Sequence, residues 1–175
     1  MAANAIGVRM LIEQRRNLRN PNGQGNLNPD IIARLAKNPD GTLNLFKWDC
    51  AIPGVPGTIW EGGLYRLRLE FPLEYPTQPP RAIFTPPIPH PNVWQLTGHV
   101  CLSTLLEPDV QITQCLHGIR QLLNDPNIKS PANKEFANEF EKENEKYQAR
   151  VKAFAQEYND VDVRRKIEQE RAANN

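Results

Sequence analysis

The NPDG segment at residues 38–41 constrains this chain more than any other local feature. Proline pre-sets φ for the turn, and glycine supplies a positive φ that other residues avoid. Before it runs the short apolar stretch IIARLAK. After it, LNLFKWDCAI alternates, so residues 31–52 are expected to form a β-hairpin. Beyond the loop PGVPGTIWEGG, LYRLRLEF interleaves Leu64, Leu67 and Leu69 with Arg66, Arg68 and Glu70 and reads as a third strand. PLEYPTQPP breaks the chain, and RAIFT is a short fourth strand. Many of the 16 prolines cluster between residues 53 and 91, so the connections there should be rigid and irregular.

Helical periodicity brackets these strands. In NAIGVRMLIEQRRNLR (4–19), Val8, Leu11, Ile12 and Leu18 share one face, with Arg15, Arg16 and Arg19 away from it. PNGQGNLNPD follows as a loop. Past Cys101, Ile112, Cys115, Leu116, Ile119, Leu122 and Leu123 fall at helical spacing, with Pro126 and Pro131 as punctuation. Residues 132–158 are helix-rich: Phe136, Phe140, Tyr147, Val151, Phe154 and Tyr158 recur at steps of three, four or seven. The polar stretch from 159 to 175 is compatible with helix or disorder. A helix, a four-strand meander and further helices specify an α+β fold with an antiparallel sheet.

Composition excludes several classes. A chain of 175 residues suggests one domain, and a net charge of +1 gives no electrostatic case for nucleic acid. No apolar run approaches membrane-spanning length, and MAANAIGVRMLIEQRR has no signal-peptide apolar region. Three cysteines make no disulfide framework and suit a reducing compartment, cytosol or nucleus.

The candidate sites gather in HPNVWQLTGHVCLS (90–103). Cys50, in an apolar strand, and Cys115, on an apolar helix stripe, read as core. Cys101 differs: an irregular loop precedes it. His90, His99 and Cys101 are close, but no fourth ligand is within reach by spacing, so no metal site is expected. A cysteine hydrolase could use His99 as base, yet no orienting partner is evident. WEGG and PGVPG lack the lysine and the context of a phosphate loop. Arg15, Arg16 and Arg19, taken alone, fit a solvated helix face as well as a binding one.

The order of motifs is more specific than any one of them. Tyr75-Pro76-Thr77-Gln78-Pro79-Pro80, then His90-Pro91-Asn92, then Cys101-Leu102-Ser103 resembles the layout of ubiquitin-conjugating enzymes, over residues 5–158. NPDGTLNLFKWDCAIPGVPGTIWEGGLYRLRLEF and LLNDPNIKSPAN resemble the SUMO-conjugating branch of that family. The resemblance implies a catalytic core over 1–158 and a polar tail over 159–175: an N-terminal helix, a four-stranded antiparallel meander, an active-site loop and C-terminal helices. It implies a transferase that takes a SUMO-like modifier from its activating enzyme and passes it to lysines of substrate proteins, with SUMO ligases as further partners. A monomer in nucleus and cytoplasm, with no cofactor, is expected.

By the same resemblance, Cys101 carries the modifier as a thioester. A thiol is nucleophilic and also leaves well when an amine attacks. An ordinary cysteine is a few per cent thiolate near pH 7, enough for a highly activated acyl donor, so no histidine base is demanded. Asn92 stabilises the oxyanion or orders the loop that does so, or merely caps that loop. His90 and Pro91 are structural. Trp94 and Ser130 line the groove for the lysine, whose neutral fraction at pH 7 is below about one in a thousand unless desolvation lowers its pKa. Ser130 stands where the branch carries an acidic residue, so lysine activation rests more on desolvation. Arg81 and Thr97 match positions that bind an acidic residue beyond the lysine. Arg15, Arg16 and Arg19 match the face that binds the modifier and the activating enzyme.

Three departures stand out. Eight residues, one more than usual, separate Asn92 from Cys101. The segment after Cys101 is short and lacks a Trp-x-Pro element. NPNGQGNLNPD differs and bears on how the first helix is set. Two alternatives remain at this point: the same chemistry with ubiquitin or another modifier, and a non-catalytic binding module of the same fold.

Overall fold

The computed structural model describes residues 5–19, 27–101 and 109–173. Its elements are α1 (Ala5–Arg19), β1 (Ile32–Lys37), β2 (Leu43–Pro53), β3 (Leu64–Glu70), β4 (Arg81–Phe84), α2 (Ile112–Asn124), α3 (Lys134–Lys142), α4 (Asn144–Glu157) and α5 (Asp160–Ala173). The sheet runs β1-β2-β3-β4 and every neighbouring pair is antiparallel, the expected meander. The NPDG turn closes β1 onto β2. Asn38 N–H donates to Thr42 O at 2.8 Å, and Gly41 takes φ 84°.

One face of the sheet carries the core. Trp48, Cys50 and Ile52 of β2, Tyr65, Leu67 and Leu69 of β3, and Ala82 and Phe84 of β4 are buried in one cluster with the apolar stripe of α2. That stripe (Cys115, Leu116, Ile119, Leu122, Leu123) is the one expected from its spacing. Strand periodicity of two forces the alternate residues to the other face. This corrects the grouping of Leu64 with Leu67 and Leu69. Leu64 has the parity of Arg66, and it is buried with Ala51 in a separate small cluster against Val163 of α5.

The first helix also departs from expectation. Ile12 is 55% exposed, and the buried positions of α1 are Gly7, Leu11 and Gln14, spaced by four and three. Val8 and Leu18 are only half-buried. The buried face is chosen by polar chemistry as much as by apolarity. Gln14 Nε2–H donates to the Tyr75 hydroxyl at 2.9 Å, and Gln14 Oε1 accepts from Ile112 N–H at 2.9 Å. Tyr75 O–H in turn donates to Val110 O at 3.0 Å. One glutamine thus joins α1, the YPTQPP loop and the N-terminus of α2, where a first-turn N–H lacks an intrahelical partner.

The helix-rich segment breaks at Glu143 into α3 and α4. The polar stretch beyond 158 is helix α5, laid on the sheet face opposite the main core. No described helix is long and apolar enough to cross a membrane.

Candidate active site

The site grows from His90-Pro91-Asn92, three buried residues in the coil after β4. Asn92 N–H donates to His90 Nδ1 at 3.0 Å, so that nitrogen is the acceptor. The ring proton then sits on Nε2, which donates to Leu122 O at 2.8 Å. Leu122 lies in the last turn of α2, where carbonyls lack helical partners. The imidazole therefore pins the loop to the helix end, and with both nitrogens committed to main chain it is no base or metal ligand.

Burial lowers the His90 pKa from 6.5 to about 4, against the raising effect of its bond to Leu122 O. Between those values the unfolded chain binds the proton and the folded protein does not. Stability contributed by a neutral His90 is complete above about pH 6.5 and is lost as pH falls through 4. The loss should approach about 3 kcal/mol. Urea unfolding from pH 7 to 4 should show this extra decline in the natural protein and not in His90→Asn. Parallel declines in the two would contradict it.

Asn92 is 1% exposed, and its carboxamide is fully engaged. Nδ2–H donates to Asn127 O at 2.8 Å and to Ser130 O at 3.4 Å, while Oδ1 accepts from Asn127 N–H at 2.8 Å. Its main-chain carbonyl accepts from Cys101 N–H at 2.8 Å. One residue thus holds the cysteine with its backbone and the 127–130 loop with its side chain. Pro91 O accepts from Asn133 N–H at 2.9 Å, which fixes the start of α3 to the same loop.

The eight residues between Asn92 and Cys101 form a hairpin turn. Val93 bridges Val100, Trp94 N–H donates to His99 O at 2.9 Å, and Gly98 N–H donates to Trp94 O at 2.8 Å. Gly98 has φ 72°, and a Cβ there would lie 2.0 Å from Phe84 O, so only glycine fits. The returning strand pairs with β4: Phe84 N–H donates to Gly98 O and Val100 N–H to Ala82 O, at 2.8 and 2.9 Å. Continuing this register sets Arg81 alongside Cys101.

The expected site residues are placed as follows. Cys101 is partly exposed and in no disulfide. Cys50 and Cys115 are buried; desolvation pushes both thiols up, Cys115 to about 12, which leaves neither suited to carry an acyl group. Trp94 is 53% exposed at the mouth of the hairpin, and Ser130 is exposed on the loop clamped by Asn92. Arg81 is exposed at the Cys101 end of β4. Thr97 is exposed in the turn at the far end of that pairing, its hydroxyl accepting His99 N–H at 3.4 Å. Four residues of strand, roughly 13 Å, separate the two along the pairing. Arg16 and Arg19 are exposed and Arg15 is half-buried on α1. Ser103 and the first four residues of the LLEPDVQIT segment lie outside the described residues, as does the whole of NPNGQGN. Among the described residues no cluster of His, Cys, Asp and Glu could hold a metal ion.

Two parts of this constellation were not anticipated. Asn127 supplies two of the three main-chain partners of the Asn92 carboxamide; its local sequence signal is Asp-Pro-Asn, a turn. Gln14 looks like an ordinary polar residue on a helix, and nothing local marks it as a cross-brace.

The family model for ubiquitin-conjugating enzyme matches residues 15–155. The chain is 46% identical over 158 residues to the SUMO-conjugating enzyme UBC9 of Caenorhabditis elegans, covering 87% of this chain and 92% of that one. It is 42% identical to the Sumo-conjugating enzyme ubc9 of Dictyostelium discoideum, covering 87% and 96%, and 37% identical to the SUMO-conjugating enzyme SCE1 of Arabidopsis thaliana, covering 89% and 97%. A crystal structure described as a ubiquitin conjugating enzyme from Plasmodium yoelii superposes with TM-score 0.73 at 27% identity, covering 89% of this chain and 97% of that one. With the meander, the pinned His-Pro-Asn loop and the single partly exposed cysteine at its end, these matches place the chain in the ubiquitin-conjugating enzyme family, in its SUMO-conjugating branch.

Proposed function

We infer that the protein accepts SUMO from its activating enzyme as a thioester on Cys101 and transfers it to lysines of substrate proteins. The observation that carries this reading is Asn92, which ties the cysteine and the 127–130 loop into one rigid unit. In the first step Cys101 Sγ attacks the activated C-terminal carbonyl of the modifier; the C–S bond forms, the donor's bond breaks, and the thiol proton goes to solvent. In the second a lysine amine attacks the thioester. The C–N bond forms through a tetrahedral oxyanion, the C–S bond breaks, the thiolate leaves, and the amine gives up its proton.

Positioning supplies much of the rate in such a transfer, because a correctly held pair avoids the entropy of meeting. Trp94 and the Ser130 loop form the walls that desolvate the incoming amine and favour its neutral form. Ser130 brings a hydroxyl and no carboxylate, so amine activation depends on these walls. Both N–H groups of the Asn92 carboxamide are occupied, which supports loop ordering over direct contact with the oxyanion. Arg81, beside Cys101, suits an acidic substrate residue near the lysine; Thr97 suits it less, being at the other end of the hairpin. The basic end of α1, with Arg15, Arg16 and Arg19, is the proposed surface for the modifier and the activating enzyme. Work as a monomer in nucleus and cytoplasm is part of the same proposal; three cysteines outside disulfides fit the reducing compartments. SUMO ligases are the expected partners in substrate selection.

The test is a non-reducing gel after incubation with ATP and matched activating enzymes, offering SUMO and ubiquitin separately. A reductant-sensitive band with SUMO alone is expected. A band with ubiquitin alone would retain the chemistry and overturn the choice of modifier. No band with either would favour a binding module.

A further inference from the structure

The matched family region ends at residue 155, and helix α5 lies beyond it. Helix α5 lies on the outward face of the sheet. Among its described residues only Val163 is deeply covered, packed with Ala51 and Leu64, while Ile32, Tyr158 and Ile167 pack at the edge. Its near end is tied down by main chain: Leu64 N–H donates to Tyr158 O and Asp160 N–H to Gly62 O, each at 2.9 Å. Toward its far end an exposed, two-toothed pair joins Arg66 to Glu170 at 2.9 and 2.7 Å. Arg164 adds a bond to Asp30 O at 3.0 Å.

The fit beneath α5 is incomplete. A cavity of about 300 Å³ lies between α5 (Arg164, Ile167, Glu168), β1 and Leu18 of α1. Leu18 sits one helical turn beyond Arg15 and next to Arg19, so the cavity opens at the basic end of α1. Helix α5 thereby covers an apolar strip (Ile32, Ala51, Leu64) whose β1 side adjoins that end of α1; Glu168 lines the cavity, and Glu170 pairs with Arg66 of β3.

We propose that α5 is an internal cover that competes with non-covalently bound SUMO for the surface formed by the basic end of α1 and the outward face of β1–β3. The proposal rests on the reading of α1 as the modifier-binding face. The helix shows in cis what that surface accepts: a branched apolar side chain over Ala51 and Leu64, with a carboxylate on Arg66. Tied by main chain at 158–160 and joined beyond that through side chains, α5 swings from the sheet as one unit. Two ligands that exclude each other are coupled, and coupling of this kind is typically about 5- to 150-fold in affinity.

The full chain should be compared with its Val163→Asp/Glu170→Arg variant, using SUMO shortened at its C-terminus so that it cannot be conjugated. Helix α5 should lose amide protection in the variant, and SUMO should bind at least about fivefold more tightly. Saturating SUMO should also lower α5 protection in the natural protein. The milder Glu170→Ala should shift both readouts in the same direction. Unchanged or weaker binding with α5 protection lost would overturn the proposal, as would α5 protection that SUMO leaves unaltered. Arg15→Glu should weaken SUMO binding to both proteins; if it does not, SUMO binds elsewhere and the proposal falls. No SUMO binding to either protein also overturns it. Thioester formation on Cys101 in the same preparations then shows whether the modifier assignment has failed with it.

Discussion

Cys101→Ser is expected to abolish every reductant-sensitive adduct and to bring lysine conjugation below detection. A serine hydroxyl is a far weaker nucleophile at neutral pH, and any ester it formed would survive thiols and resist attack by an amine. The substitution should cost little stability, within about 0.5 kcal/mol, because the side chain is partly exposed and swaps one small group for another. Cys115→Ser should do the reverse. It leaves the adduct in place but sets a hydroxyl in a wholly buried site at a cost of about 1–3 kcal/mol. A reductant-sensitive band persisting in Cys101→Ser would show that another cysteine carries the modifier.

Asn92→Ala should separate the two half-reactions. Removing the carboxamide strands Asn127 N–H and C=O in a nearly closed site, which should destabilise the protein by about 2–4 kcal/mol. The main-chain bond from Cys101 N–H to Asn92 O does not depend on the side chain, so the cysteine stays in place and thioester formation continues. Discharge to lysine should fall about a hundredfold, because the loop carrying Ser130 is no longer held against the site. Single-turnover discharge of preformed thioester measures this directly. The fall should appear at saturating lysine, and amides 127–130 should lose protection. An equal loss in both half-reactions would mean that Asn92 serves only general stability. A loss in discharge with the loop still protected would point to direct action of the carboxamide.

The hairpin at 93–100 shows how a turn of variable length can sit next to a reactive group. The turn projects outward, with Leu96 95% exposed at its tip. The strand that returns to Cys101 keeps its pairing with β4, so the cysteine's position is set by the sheet and not by the length of the turn. The tight contact of Gly98 with Phe84 O anchors that return.

Much of this protein was legible along the chain because it depends on near neighbours. Alternation, the NPDG turn and the helical spacing after Cys101 determine the element order, and periods of two and 3.6 leave little choice of type. The cysteine could be singled out because the other two lie in apolar strand and helix patterns, and the motif order marked the loop around it. What the sequence could not decide was every matter settled by a partner far along the chain. Gln14 is buried because Tyr75 and Ile112, 61 and 98 residues away, need its amide. Asn92 is a clamp because Asn127, 35 residues on, returns to it. Leu64, similar in character to Leu67, takes the opposite face by strand parity, and is buried only because α5 covers it. The polar C-terminal segment carries too little apolar surface to declare itself a packed helix. The strip it covers comes from three different strands, and only their assembly into a sheet creates the surface on which α5 rests.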